Sequence, residues 1–73
     1  MQKEVMALDK KAIGRKLRTL RGDRSQKTVA DEVGVLQSTY SMYEAGKRVP
    51  SDDVKEKIAA YFKATVQNIF FVN

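Results

Sequence analysis

The side chains of this chain that are equipped for chemistry are cations, amides and hydroxyls, and no nucleophile has a base beside it. Histidine and cysteine are both absent, which removes the usual zinc and haem ligands and any disulfide framework. Asp52, Asp53 and Glu56 gather behind Ser51, but their place there is structural: carboxylates in a helix's first turn oppose the positive end of its dipole. Neither an enzyme, nor a metal site, nor a cofactor is expected from this set.

The cations are placed unevenly. The formal charge is +5, and residues 1 to 25 carry eight Lys or Arg against three acids, while residues 26 to 50 and 51 to 73 each balance three against three. Lys10, Lys11, Arg15, Lys16, Arg18 and Arg21 thus make one basic element. Two readings stay open for it: a solvated helix face, or attraction to a polyanion such as nucleic acid. A membrane surface fits less well, because these charges oppose a Leu and Ile stripe of ordinary core type rather than a band of Trp, Phe and Leu.

The amides and hydroxyls gather between Gln37 and Ser41. Gln37, Ser38, Thr39 and Ser41, with Met42, are the outward positions of a short helix, and such a face is small enough to enter a DNA major groove roughly 12 Å wide. A glutamine pairs bidentately with adenine N6 and N7, so Gln37 favours an A·T pair by about 1 to 3 kcal/mol. Its plain alternative is a solvated residue at a helix start. Leu36 and Met42 have nothing to donate and touch only apolar groups such as a thymine methyl, which suggests half-sites containing A·T pairs.

What must position these groups is a small domain. A chain of 73 residues makes one domain and buries only about 60% of the surface its unfolded form exposes. Residues 1 to 8 read as a tail or arm, and residues 9 to 73 as the domain proper. No secretory signal appears, and no stretch approaches the roughly 18 apolar residues of a bilayer span, so a cytoplasmic location is the default.

Asp9 is a fitting N-cap for a first helix in which Ile13, Leu17 and Leu20 share one side; Gly22 and Asp23 end it. Ser25 caps a second helix with Val29, Ala30 and Val33 inward, and Gly34 stops it. A third helix spans Gln37 to Glu44 with Tyr40 and Tyr43 inward, followed by a loop from Ala45 to Pro50. Ser51 caps a fourth, with Val54, Ile58, Tyr61 and Phe62 on its inner face, and Thr65 caps a last one carrying Val66, Ile69 and Phe70. Within 26 to 44, Gly34 supplies the positive φ for a tight turn between helices at about 90 to 120°, and Ala30 lets the two backbones approach.

A glycine between two amphipathic helices is by itself a weak signal; the words around it are specific. IGRKLRTLR at 13 to 21, SQKTVADEVGV at 25 to 35, YSMYEAGKRVPS at 40 to 51 and IAAYF at 58 to 62 resemble the Xre family of helix-turn-helix proteins, which includes the lambda-type phage repressors and Cro proteins. The resemblance covers residue 13 to about residue 71, and its tightest elements are Ser25-Gln26, Ala30, Gly34-Val35, Ser41, Glu44, Gly46, Arg48 and Pro50-Ser51. It implies an all-α, five-helix, lambda-repressor-like domain whose third helix reads bases in the major groove.

Carried over by position, the resemblance assigns base reading to Gln37, Ser38 and Met42, with Leu36 and Thr39 at the edge of that surface. It assigns phosphate contact to Gln26, Ser25, Ser41, Lys47 and Arg48, and a buried structural ion pair to Arg21 and Glu44. Phosphate contacts position and base contacts specify. Three departures stand out. Gly22, Asp23 and Arg24 make a shorter first corner than is usual in the family; Leu36 replaces a Ser or Thr N-cap, a loss of about 0.5 to 2 kcal/mol unless Ser38 caps a later start; and Tyr40 replaces Ile or Val, so its hydroxyl must find a partner or reach water.

The expected function is a sequence-specific regulator of transcription, a repressor that occupies a double-stranded DNA operator. A homodimer on a two-fold operator with half-sites about 10 bp apart is expected, because one such domain binds a single half-site weakly. Phe71 and Val72 are candidates for its interface, with a C-terminal tuck onto the fourth helix as the alternative. With the chain ending at Asn73, no small-molecule ligand is expected. A module that binds protein is the competing class; Gln26, Lys47, Arg48 and the basic first helix are what it would not require.

Overall fold

The computed structural model describes residues 9 to 71. Five α-helices and no strand occur among them: α1 Lys10–Arg21, α2 Gln26–Val33, α3 Gln37–Glu44, α4 Asp52–Phe62 and α5 Val66–Phe70. The expected tail over residues 1 to 8 and the interface residue Val72 lie outside the described residues.

Side chains just before the helices set where four of them begin. Asp9 accepts from the Ala12 amide at 3.0 Å, Ser25 from Thr28 at 3.0 Å, Ser51 from Val54 at 3.4 Å and Thr65 from Asn68 at 3.0 Å. Each satisfies an amide that the helix itself leaves without a partner. Gly34 ends α2 in the left-handed region at φ 89°, where its own N–H donates to the Ala30 carbonyl at 2.8 Å and that of Val35 donates to the same oxygen at 3.0 Å. Any residue with a Cβ is disfavoured in that conformation, so the tight turn depends on this glycine.

α1 packs on α3 and α5, α2 on α3 and α4, and α4 on α5. Between them lie Ile13 and Leu17 of α1, Val29, Ala30 and Val33 of α2, Tyr40 and Tyr43 of α3, Ile58 and Ala59 of α4, and Ile69 and Phe70 of α5. Burying a side chain as large as Leu17 or Phe70 contributes about 1.5 to 3 kcal/mol. Leu20, Val54, Tyr61, Phe62 and Val66, read from the sequence as inward, are only half-buried at the rim of this core, as is Val35. At Tyr61 and Phe62 the outer side is covered by the Arg24 guanidinium, which lies over their rings 5.4 and 5.6 Å from the centroids.

Two buried positions had no apolar signal. Gly14 lies where α1 crosses the last turn of α3, and a Cβ there would collide with the carbonyl oxygens of Glu44 and Tyr43. Lys55 is buried on α4, its ammonium 3.6 Å from the exposed Asp52 carboxylate and 5.9 and 5.4 Å from the centres of the Phe70 and Phe71 rings. The aliphatic stem fills core space while the charged end stays near the surface.

Candidate nucleic-acid interface

Along α3 the inward stripe of Tyr40, Tyr43 and Glu44 is buried, and the opposite side is polar and accessible. Gln37 and Ser38 are exposed at its first turn, while Thr39, Ser41 and Met42 are half-buried along its flanks. Leu36, immediately before the helix, is 72% exposed, a large apolar side chain standing in water beside Gln37. Its backbone has the extended geometry of an ordinary N-cap, φ −67° and ψ 147°, but it supplies no capping hydrogen bond. α3 begins at Gln37, so Ser38 lies inside the helix and does not replace the lost cap.

The other end of α3 is closed by one carboxylate. Glu44, with a side chain only 1% exposed, accepts from Arg21 Nε at 2.7 Å through Oε2 and from Arg21 Nη2 at 3.0 Å through Oε1. This planar, two-point pairing is the geometry that suits a guanidinium. The same Oε1 accepts from Gln26 Nε2 at 3.0 Å, and Arg18 Nε lies 3.9 Å away. Burial alone would raise the pKa of Glu44; the hydrogen bonds from Arg21 and Gln26 outweigh it and hold the carboxyl below the usual glutamate value.

Arg21 also closes the short first corner. Its Nη1 donates to the Arg24 carbonyl at 2.8 Å, and Gly22 takes a positive φ of 59° to turn the chain. The corner is thus tied to the same side chain that ties α1 to α3. The family resemblance implies the pairing of Arg21 with Glu44, but not that Gln26 shares the carboxylate; the approach of the α2 N-terminus to the α3 C-terminus brings that about. One N–H of the Gln26 amide is used in this way, leaving the second N–H and the amide oxygen at a half-buried surface position.

Tyr40 places its hydroxyl, buried in the core, beside the Glu44 carboxylate, short of ideal hydrogen-bonding geometry. Burial first, and the neighbouring Glu44 carboxylate second, push its pKa well above the usual phenol range, so it stays protonated.

Around the accessible face of α3 lie the remaining expected residues. Ser25 is exposed at the start of α2, its hydroxyl accepting from the Thr28 amide and donating to Thr28 Oγ1 at 2.9 Å. Lys47 and Arg48 are exposed in the loop after α3, held there by a bond from the Lys47 amide to the Met42 carbonyl at 3.0 Å. Arg48 lies near enough to Tyr43 for its charge to oppose the rise that burial gives that phenol. Because the start of α2 meets the end of α3, Ser25 and Gln26 lie toward the same end of α3 as Lys47 and Arg48, and Leu36 to Met42 lead away from it along the helix. Among the described residues no group of His, Cys, Asp or Glu could hold a metal ion, and no helix is long and apolar enough to cross a membrane.

Helix-turn-helix proteins as a family match residues 15–68. The chain belongs to that family and, by the motifs and fold set out above, to its Xre and lambda type: an all-α helix-turn-helix domain of the DNA-binding regulators. Among solved structures it is similar to the restriction-modification controller protein C.AhdI from Aeromonas hydrophila, with 30% identity over 85% of this chain and 97% of that one and a TM-score of 0.78. The fold is shared with the clp gene regulator ClgR from Corynebacterium glutamicum, at 22% identity over 92% of this chain and 71% of that one and a TM-score of 0.75. It is shared too with the SOS-response transcriptional repressor LexA from Eubacterium rectale, at 20% identity, 89% and 73% coverage and a TM-score of 0.77. A search of curated protein sequences gave no match.

Proposed function

We propose that this protein is a sequence-specific regulator of transcription that represses by occupying a double-stranded DNA operator in the cytoplasm. The observation that carries this reading is the exposed first turn of α3, with Leu36, Gln37 and Ser38 standing clear of the core, while Ser25, Gln26, Lys47 and Arg48 lie toward the other end of the same helix. In this reading Leu36, Gln37, Ser38, Thr39 and Met42 face base edges, and Ser25, Gln26, Ser41, Lys47 and Arg48 hold the backbone. The likeness to C.AhdI, a restriction-modification controller protein matched over 97% of its length, supports a regulator of this size.

A single domain covers one half-site, so the operator is read by a homodimer with half-sites about 10 bp apart. Phe71 is 38% exposed, which leaves apolar surface for an interface at the C-terminal end, although its ring also lies against Lys55 of α4, as a tuck onto that helix would place it. Sedimentation equilibrium with and without operator DNA tests this; a strict monomer in both conditions rules the dimer out.

The decisive experiment is selection from random duplex DNA. One enriched two-fold sequence is expected, with Gln37→Ala relaxing preference at a single position by about 1 to 3 kcal/mol. If no sequence is enriched and all binding vanishes at moderate salt, the specific-regulator reading fails and only nonspecific attraction to DNA remains.

A further inference from the structure

Loop α3–α4 does not stand apart from the basic first helix. Gly46 sits directly on the start of α1: a Cβ built on it would lie 3.0 Å from Lys11 Cγ, 3.1 Å from Lys11 Cα and 3.3 Å from Lys11 N. Lys11 is therefore next to the loop that carries Lys47 and Arg48. Two turns further along α1, Arg18 reaches toward the end of α3, its Nε 3.9 Å from Glu44.

Residues spaced i, i+4 and i+7 share one side of a helix, so Lys11, Arg15 and Arg18 line one exposed side of α1, with Lys11 and Arg18 nearest α3 and the loop that follows it and Arg15 further out. Lys16 is not on that side. It lies about 140° round the axis from Lys11, on the flank shared with Ile13 and Leu20.

We propose that Lys11, Arg15 and Arg18 form a second rail for the DNA phosphate backbone, continuing the surface begun by Lys47 and Arg48. All three are exposed, and among the described residues no acid lies within ion-pair distance of Lys11 or Arg15. Like charges at helical spacing repel one another, so this row opposes folding of α1 and is relieved by a polyanion laid along it. The row runs about 10 Å along the helix. One DNA strand presents a phosphate every 3.4 Å or so of its axis, so the row matches a few successive phosphates rather than a point anion. A buried anion site, by contrast, would need a pocket, and these side chains stand in the open.

The rail rests on the DNA reading above, and salt titration of binding to a random-sequence duplex separates the two. Lys11→Gln and Arg15→Gln are each expected to reduce the slope of log affinity against log salt by about 1 per bound protomer. Lys16→Gln, which removes the same charge from the same helix, is expected to leave the slope unchanged; circular dichroism checks that all three variants keep their helices. Equal effects from all three would mean attraction by net charge at a distance and overturn the rail. No effect from Lys11→Gln and Arg15→Gln, while Lys47→Gln still lowers the slope, overturns the rail and leaves the DNA reading standing. If the unaltered protein binds no duplex, both fall.

Discussion

The two ends of α3 are held by opposite means. At its C-terminal end Glu44 is buried and accepts from two other segments of the chain, and Gly14 of α1 lies against the backbone there with no room for a methyl group. At its N-terminal end the cap is a leucine that bonds to nothing and stands in water. The molecule spends its tertiary contacts where the helix must be fixed to the domain, and leaves bare the turn where a partner can supply them. What the difference teaches is that the polar anchoring of a presented helix can be concentrated at one end, leaving the side chains of the other free of it.

The sharpest way to break this contrast is to cut the closed end. Arg21→Ala leaves the Glu44 carboxylate buried without its main partner and is expected to cost about 3 to 5 kcal/mol, read as a fall in the thermal or urea midpoint. The same carboxylate sets an acid limit. Because its folded pKa is lowered, its contribution is fully present above the unfolded glutamate value of about 4.3 and is lost as pH falls through the lower folded value. Glu44→Gln should therefore flatten the acid side of the stability profile; an unchanged profile would show that the pair contributes nothing.

Gly14→Ala comes next. Alanine improves helix propensity by about 1 kcal/mol, but its Cβ meets the Glu44 and Tyr43 backbone, which cannot swing away as a side chain would. A net loss of about 1 to 3 kcal/mol is expected, and a rise in melting temperature would refute the close approach of α1 to α3.

At the open end the sign reverses. Leu36→Ser should stabilise the domain by about 0.5 to 2 kcal/mol, since the backbone is already in N-cap geometry and little apolar burial is lost. It should at the same time alter the selected DNA sequence at one position. The smallest effect is expected from Tyr40→Phe: removing the buried hydroxyl beside the Glu44 carboxylate should cost no more than about 1 kcal/mol, with DNA affinity unchanged.

Much of the frame was legible because short-range chemistry decides it. Asp9, Ser25, Ser51 and Thr65 each mark a helix start by a hydrogen bond to an amide three residues on, and Gly34 marks an end by a conformation other residues avoid. Such rules need only the local chain. The Xre-type motifs placed Arg21 opposite Glu44 for the same reason that they placed the turn. What stayed hidden depends on approach in space. Gln26 joins Glu44 only because the start of α2 meets the end of α3, and Lys11 adjoins the loop only through Gly46. Tyr61 and Phe62 have the spacing of core residues, yet they lie half-buried at the rim, where Arg24 reaches across from the corner to cover them.

Glu44 has a consequence for how such a domain can change. Positions 21, 26 and 44 share one carboxylate, so substitutions there are not additive, and a tolerated change at one is set by the other two. Leu36, Gln37 and Ser38 touch none of that network and are open to solvent. They form an exchangeable cassette: new side chains can be tried there one at a time, and each inherits a backbone already held in place from the other end of the helix.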